Sequence, residues 1–184
     1  MRPVAEAAQG QNLGPARCTS VVAVPGGRGK GKVTTAALAC YRPGHRSRLI
    51  YRQHVWHRRK GEPKSFSWRG YRDLLIAAHH QLPGGKIVLI WDNLSVHLDV
   101  QMRKFIAGAD WLTVVQLPAY APELNPVEGI WSVIKATVLA NLAATGLDHV
   151  ISVIRHGLKR LQYRPEAIDG CLAATGLTIP AMNH

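Results

Sequence analysis

The chain has 184 residues, enough for one domain with a hydrophobic core, because a domain usually contains ~100 to 200 residues. Lysine and arginine outnumber aspartate and glutamate by 23 to 11, and the formal net charge of +12 favours a polyanionic partner, of which nucleic acid fits best. No apolar run approaches the ~18 residues that cross a membrane, and residues 1–17 lack the apolar core of a signal peptide, so we expect a cytoplasmic protein without a membrane partner.

The N-terminal third contains one recognisable hairpin and a basic loop. Residues 1–20 are rich in Ala, Gly, Gln and Pro without an apolar period, so we predict an irregular N-terminus ahead of one domain over residues 21–184. The run 33–41 and the run 48–52 flank an Arg-Pro-Gly-His turn, which predicts a hairpin. The loop that follows carries several cations, and the candidates for phosphate contact are Arg58, Arg59, Lys60 and Lys64. A solvated loop without a ligand is the alternative.

The rest of the chain has an alternating α/β pattern. Apolar residues at helical spacing predict a helix over residues 68–81. The apolar run 86–92 shows no alternation, so we predict a strand that is covered on both faces. The elements predicted after it are a helix ending near Gly108, a strand over 111–117, an amphipathic helix beginning near Val127 and a final helix capped by Asp148.

Two carboxylates are placed where a metal-dependent phosphoryl-transfer site needs them, since such sites hold divalent ions through carboxylate oxygens. Asp92 directly follows the apolar strand, although Asp-Asn after a strand is also a common turn. Glu128 stands in the first turn of a helix, where the alternative is a capping box with Asn125 as the N-cap. His97 is either a surface histidine at a helix entry or a contact to substrate phosphate.

Two strings of residues resemble the second and third acidic motifs of mariner-related insertion-sequence transposases, which are enzymes of the DDE superfamily. The first string is Asp92-Asn93-x-x-x-His97, and the second is Tyr120-Ala121-Pro122-Glu123-Leu124-Asn125-Pro126-Val127-Glu128-Gly129-Ile130-Trp131. The likeness extends from about Val21 to Leu177. The resemblance implies an α/β fold of the ribonuclease-H-like type, in which a mixed sheet is flanked by helices.

The resemblance also implies roles for the residues. Asp92 would be the second metal ligand and Glu128 the third, and an intact family member is expected to bind two Mg²⁺ or Mn²⁺ ions. Such enzymes cut DNA at transposon ends and join it to target DNA. The expected partners are therefore DNA and either a second copy of the chain or an intact transposase. Asn93 and His97 join the four loop cations as candidates for nucleic-acid binding.

One part of the family pattern is missing from this chain. The family's first metal ligand is an aspartate on a central first strand, which lies between the hairpin and the strand carrying the second ligand. The only acid before Glu62 is Glu6, in an Ala-rich stretch without a strand pattern, and the helical DNA-end-binding region is also absent. Ser20 to Val24 is the only local candidate to replace the strand, and it is short. We therefore expect an N-terminally truncated fold whose neighbouring strands have unpaired backbone groups.

The N-terminal sequence suggests a cause for this loss. Family members often carry Arg-Thr-Trp-Gly-Arg-Arg-Gly before the hairpin, where this chain reads Gln11-Asn12-Leu13-Gly14-Pro15-Ala16-Arg17. Permitted codons for this stretch give the family tract when they are read one nucleotide later. We therefore expect residues 9–18 to lie outside the ancestral reading frame, which the coding DNA sequence would test.

The leading hypothesis from the sequence is a truncated DDE-type transposase domain for DNA cleavage and strand transfer, inactive alone because the first aspartate is absent. The alternative is a non-catalytic nucleic-acid-binding remnant that interferes with an intact transposase. An active enzyme with a different first ligand is the third hypothesis.

Overall fold

The computed structural model describes residues 19–23, 31–82, 85–93, 96–97, 99–118, 121–140, 142–143 and 145–178. The strands are β1 (Thr19–Ala23), β2 (Lys32–Cys40), β3 (Arg48–Trp56), β4 (Ile87–Trp91) and β5 (Leu112–Gln116). The helices are α1 (Trp68–Gln81), α2 (Val100–Ala107), α3 (Pro126–Ile134), α4 (Leu147–Gln162) and α5 (Pro165–Ala173). The predicted mixed α/β class is confirmed. No helix in these ranges is long and apolar enough to cross a membrane.

The strands form two sheets. β1, β2 and β3 are antiparallel in that order, and β4 pairs with β5 in parallel. The predicted hairpin is confirmed, with Lys32 opposite Trp56 and Cys40 opposite Arg48. β3 runs on to Trp56, so the basic loop begins later than the sequence suggested.

Helices cover the β2–β3 hairpin on both faces. Val33 and Leu49 pack into a core with α3, α4 and α5, whereas Ala36 and Ile50 pack into a second core with α1, α2, β4 and β5. Side chains at successive strand positions point to opposite faces, so one hairpin contributes to both cores. The hairpin is therefore the central layer of the fold.

The β4–β5 pair is covered on one face only, which corrects a prediction from the sequence. Leu89 and Trp91 are buried, but the side chains of Val88 and Ile90 are 63% and 47% exposed. Val115 of β5 is 48% exposed as well. The prediction of a strand covered on both faces was wrong, because an unbroken apolar run does not reveal which helices are available to cover it.

A hydrogen bond links the start of β3 to the end of α1. Arg48 Nη1, at the start of β3, donates a hydrogen bond to the carbonyl of Gln81, the last residue of α1 (2.9 Å). β4 follows α1 and begins at Ile87. The basic loop follows β3, and Asp92 follows β4.

Three further predictions are corrected or refined. β1 occupies almost the segment named as a replacement strand, and it pairs with Lys32–Ala36 of β2, so this stretch of β2 is not left unpaired. Its sequence, Thr-Ser-Val-Val-Ala, contains no acid.

α4 begins at Leu147 with Gly146 as its N-cap, so Asp148 lies in the first turn and is not the cap. α5 was not predicted. The irregular N-terminus was predicted over residues 1–20, of which Thr19 and Ser20 belong to β1; residues 1–18, which include the predicted frame displacement, lie outside the described residues.

Candidate carboxylate and metal site

Asp92 lies directly after β4, where the strand leaves the sheet. Its neighbour Asn93 is exposed, and Asn93 Nδ2 donates a hydrogen bond to the carbonyl of Leu117 (3.0 Å). Leu117 directly follows β5, and its own N–H donates to the carbonyl of Trp91 (2.8 Å). These two bonds join the ends of the parallel strands and fix the backbone that carries Asp92.

His97 holds the Asp92 carboxylate in place. Its Nδ1 lies 3.0 Å from Asp92 Oδ1 and 3.1 Å from the Asp92 carbonyl oxygen, and both oxygens are acceptors, so Nδ1 carries the proton. The ring stacks on Trp91 with centroids 4.0 Å apart and meets the edge of Tyr71 at 4.8 Å. The interpretation of His97 as a surface histidine is wrong, because the residue is only 3% exposed. Burial also keeps it from touching a phosphate in this conformation.

The start of α3 places Glu128. Asn125 Oδ1 accepts a hydrogen bond from the backbone N–H of Val127 (3.1 Å), and Pro126 is the first helical residue, where its missing N–H costs nothing. Gly129 brings α3 close to α5: a Cβ on this residue would lie 3.0 Å from Cys171 Sγ. A glycine inside a helix is destabilising by roughly 0.8–1.0 kcal/mol relative to alanine, and here it permits this close packing.

Glu128 does not act as a simple cap residue. In a capping box its side chain would accept from the backbone N–H of Asn125, but that N–H donates to the carbonyl of Pro122 (2.9 Å). Glu128 Oε1 is buried and has no hydrogen-bond partner in the described structure. A buried acceptor without a partner is destabilising, so the geometry leaves this oxygen available for a ligand.

The charges of Asp92 and Glu128 interact. Burial raises the pKa of Glu128 above its ordinary value, nearby Lys135 lowers it, and the negative charge of Asp92 raises it further. The two carboxylates are therefore close enough to feel each other's charge. A cation bound between the carboxylates would offset both the repulsion between their charges and the energetic cost of burying them.

The chemistry of the carboxylate pair suits a divalent metal ion, but the pair supplies fewer ligands than a complete metal site. Carboxylate oxygens are ligands that Mg²⁺ prefers, and Glu128 Oε1 lacks any other partner. Within the residues that the structure describes, no group of three His, Cys, Asp or Glu side chains is arranged to hold a metal. Asp92 and Glu128 thus supply two protein ligands, and no third lies beside them in those ranges.

The basic loop after β3 is folded around its one acid. The Glu62 carboxylate accepts hydrogen bonds from the backbone N–H groups of His57 (2.7 Å) and Arg59 (3.2 Å). Gly61 has a φ of +81°, which glycine adopts without strain. With Glu62 committed inside the loop, the four candidate cations are exposed; they are Arg58, Arg59, Lys60 and Lys64.

A chain of ring contacts joins this loop region to the carboxylate site. His54 in β3 contacts Phe66 with centroids 5.8 Å apart, Phe66 contacts Tyr71 at 5.5 Å, and Tyr71 contacts His97 at 4.8 Å. His97 in turn is bonded to Asp92. These contacts connect the end of β3, which precedes the basic loop, with the histidine that holds Asp92.

Sequence reasoning missed the aromatic residues that support His97. Tyr71 falls on the apolar side of the helical pattern of α1, which predicts only that it is buried. Trp91 ends an apolar run that reads the same with any large apolar residue. The order Trp91-Asp92 did offer a signal. An aromatic ring next to an acid at a strand end can pack against another side chain, here His97, that contacts the acid.

Comparison with known proteins gives a family match for part of the chain. Residues 67–150 match the family model described as DDE superfamily endonuclease. A search of curated proteins found no match.

Solved transposase structures are similar at low sequence identity. The catalytic domain of Mos1 mariner transposase is 16% identical, with 81% of this chain and 76% of that chain covered and a TM-score of 0.46. The Mos1 transposase paired-end complex with the left transposon end is also 16% identical, with 95% and 52% covered and a TM-score of 0.44. The chain thus spans about half the length of the transposase in that complex. The family match agrees with the predicted resemblance over residues 67–150, the segment that contains Asp92, His97 and Glu128.

Proposed function

We propose that this chain is a DDE-type transposase domain for DNA cleavage and strand transfer, inactive alone because it lacks the first aspartate. One observation carries the proposal: Asp92 and Glu128 are electrostatically coupled, and Glu128 has a buried oxygen without a partner. Both residues lie in the segment that matches DDE superfamily endonucleases. A helix cap or a turn would explain either acid alone. Neither role would require two carboxylates to lie close enough to repel each other while one of them is partly buried.

The metal that this function requires is Mg²⁺ or Mn²⁺, with two ions expected in an intact family member. Asp92 and Glu128 are the residues that would hold it, as the second and third ligands. When bound, a divalent cation supplies a Lewis acid for phosphoryl transfer. The protein's own contribution is to fix Asp92 through His97 and to keep Glu128 directed into a buried position.

DNA is the proposed partner, in the form of transposon ends and target DNA. The net charge is +12, and the four cations of the basic loop are exposed. The Mos1 transposase has been solved in complexes with transposon-end DNA, which supports the same partner class here. A second copy of the chain or an intact transposase would complete such an assembly.

The second candidate is a non-catalytic nucleic-acid-binding remnant. It is favoured by the absence of a third ligand beside Asp92 and Glu128 within the described residues. The two candidates differ in whether Asp92 and Glu128 still bind a divalent metal ion, because neither candidate is expected to cleave DNA alone.

A combined binding and cleavage assay tests the proposal. The wild-type chain is mixed with supercoiled plasmid and with duplex DNA carrying the terminal repeats of its own element, in Mg²⁺ and then in Mn²⁺. We expect salt-sensitive binding without nicking. Nicking that disappears in Asp92→Asn and Glu128→Gln would contradict the inactive state and support the third hypothesis, an active enzyme.

The role of the basic loop is tested with matched triple variants. Arg59, Lys60 and Lys64 are replaced by alanine in one, and the exposed α4 residues Arg155, Lys159 and Arg160 in the other. Each lost phosphate contact reduces the slope of log affinity against log salt by about 0.9. We expect the dependence of log affinity on log salt to become much weaker in the loop variant. In the α4 variant it should stay at the wild-type value. Equal loss would show that net charge alone binds DNA.

A further inference from the structure

The basic loop after β3 contains one residue in an unusual backbone conformation. Arg58 has a φ of +66° and is the only residue other than glycine with a positive φ in the part of the chain that the structure describes. Residues with a Cβ rarely adopt this left-handed region, apart from Asn and Asp, whose short side chains bond to the nearby backbone. Such a conformation persists only where surrounding contacts hold it, and it is found most often at functional positions. The contacts that hold Arg58 are therefore of interest.

Glu62 provides these contacts from within the same loop. Its Oε2 accepts hydrogen bonds from the backbone N–H groups of His57 (2.7 Å) and Arg59 (3.2 Å), the residues on either side of Arg58. Its Oε1 lies 3.1 Å from His57 Nδ1. Successive backbone N–H groups around a left-handed residue can converge on an anion. Here that anion is the Glu62 carboxylate, which fixes the backbone on both sides of Arg58.

A backbone turn brings Glu62 to this position. The N–H of Glu62 donates a hydrogen bond to the carbonyl of Arg59 (3.2 Å), which closes a turn over residues 59–62. Gly61 is the third residue of the turn and has a φ of +81°, as a type II turn requires at that position. After the turn, the carbonyl of Pro63 accepts a hydrogen bond from His54 Nε2 of β3 (2.7 Å). Local hydrogen bonds thus set the shape of the loop.

The side chain of Arg58 lies against an aromatic ring as a result. Its guanidinium carbon is 5.7 Å from the centre of the Trp56 ring, and Lys64 Nζ is 5.8 Å from the same centre, so both make cation–π contacts. Both cations are exposed. No carboxylate among the described residues forms an ion pair with Arg58. The guanidinium is therefore held by Trp56 and keeps its charge available for a ligand.

The bonds of Glu62 distinguish two explanations for an acid in this basic loop. If Glu62 served to neutralise the loop, its carboxylate would pair with the arginine and lysine side chains around it. Its oxygens are bonded to two backbone N–H groups and to the His57 ring instead. This arrangement favours a role in shaping the loop over a role in reducing its charge.

We propose that Glu62 is a positioning residue for nucleic-acid binding, which holds Arg58 against Trp56 so that the guanidinium binds a phosphate of the DNA backbone. A guanidinium offers paired N–H donors that match two phosphate oxygens, and a side chain already held in place loses less freedom on binding. The inference rests on the proposed function, because it requires the basic loop to contact DNA. Loss of this acid is then expected to weaken binding to a polyanion, although charge alone predicts the opposite.

The test compares Glu62→Ala with Glu123→Ala in the full chain. Each substitution removes one negative charge, and Glu123 is an exposed acid in another segment. Fluorescence anisotropy of a short labelled DNA duplex measures Kd over a series of NaCl concentrations. We expect Glu62→Ala to raise Kd about tenfold, as for the loss of one charge-assisted contact. Glu123→Ala should leave Kd unchanged or lower it.

A double variant shows whether Glu62 acts through Arg58. Arg58→Ala is expected to weaken binding and to reduce the slope of log affinity against log salt by about 0.9, the value for one phosphate contact. Adding Glu62→Ala to Arg58→Ala should weaken binding no further, because the side chain that Glu62 positions is gone. Glu62→Gln keeps an acceptor oxygen for the backbone N–H groups, so its Kd should lie between those of the wild type and Glu62→Ala.

Amide hydrogen exchange without DNA separates this role from support of the fold. The amides of His57 and Arg59 are expected to exchange faster in Glu62→Ala than in the wild type, while Tm stays close to the wild-type value, because Glu62 belongs to neither core.

The outcomes also separate a failure of this inference from a failure of the proposed function. Glu62→Ala that binds DNA as tightly as the wild type or more tightly, additive weakening in the double variant, unchanged amide exchange or a large fall in Tm would overturn the inference alone. A wild-type chain that does not bind DNA would contradict the proposed function and the inference together.

Discussion

The β2–β3 hairpin and the β4–β5 pair differ in how many of their faces are covered. The hairpin lies between two cores, with Val33 and Leu49 buried on one side and Ala36 and Ile50 on the other. β4 has one covered face, and on the other the side chain of Val88 is 63% exposed. The residues with candidate chemistry follow the less supported pair.

This difference shows how the site keeps its geometry without a full sheet around it. Asp92 is held by His97, whose ring lies against Trp91 and Tyr71 from the covered face. Glu128 is held from the other core, through the α3–α5 contact at Gly129. Each carboxylate thus depends on a different core, and the predictions below separate their contributions.

The largest expected effect is in the core that supports Glu128. Trp131 of α3 is 2% exposed and packs among α4 and α5. Trp131→Ala is expected to lower the free energy of unfolding by about 3–5 kcal/mol, from lost burial and the cavity left behind. Urea denaturation measures it. A loss below about 1 kcal/mol would show that this core does not stabilise the hairpin.

The next effect concerns the support of Asp92. His97→Ala removes a buried ring that stacks on Trp91 and meets Tyr71 edge-on, and it is expected to lower the free energy of unfolding by about 1.5–3 kcal/mol. His97→Phe keeps the ring contacts and loses only the bond to Asp92, so its loss should be smaller. Thermal unfolding of both variants checks this order, and equal losses would assign the role to the hydrogen bond alone.

Glu128→Gln is expected to stabilise the chain at pH 7. The pKa of Glu128 is raised, mainly by burial, so its ionised form is disfavoured in the folded state. That penalty is absent below the unfolded value of about 4.3, grows as pH rises and is complete above the folded pKa. The gain at pH 7 should be on the order of 1 kcal/mol, at the low end for a buried group without a partner.

The control for this prediction is Glu123→Gln, since Glu123 is exposed in the same segment. Its stability should equal that of the wild type at pH 4 and at pH 7. A gain for Glu128→Gln that persists at pH 4 would contradict the electrostatic explanation.

The smallest effect is expected on the open face of β4. Val88→Thr replaces an exposed side chain by one of similar shape, so the free energy of unfolding should change by less than about 0.5 kcal/mol. In a strand covered on both faces, the new hydroxyl would be buried and the loss larger. Chemical denaturation of this variant therefore distinguishes the two descriptions of β4.

Much of the element order was predictable because local patterns specify it. The helical spacing over 68–81 gave α1 with its observed limits, and the β-branched run and turn gave the β2–β3 hairpin. The two acids were found because a strand end and a helix start are both visible in the sequence.

What the sequence did not reveal depends on tertiary contacts. The exposed face of β4 follows from which helices are present to cover it, and the burial of His97 follows from Trp91 and Tyr71 closing around it. The sequence could not show whether Glu128 is a metal ligand or a capping residue, because both roles use the same residue types at the start of a helix.

Binding of Mg²⁺ tests most directly whether Asp92 and Glu128 form a cation site. A ligand that binds only the folded chain raises its stability by RT ln(1 + [L]/Kd), so Tm is measured over a series of Mg²⁺ concentrations at constant ionic strength. The account predicts a concentration-dependent rise for the wild type and for Glu123→Gln, and none for Asp92→Asn or Glu128→Gln. An equal rise in all four proteins, or no rise in the wild type, would contradict it.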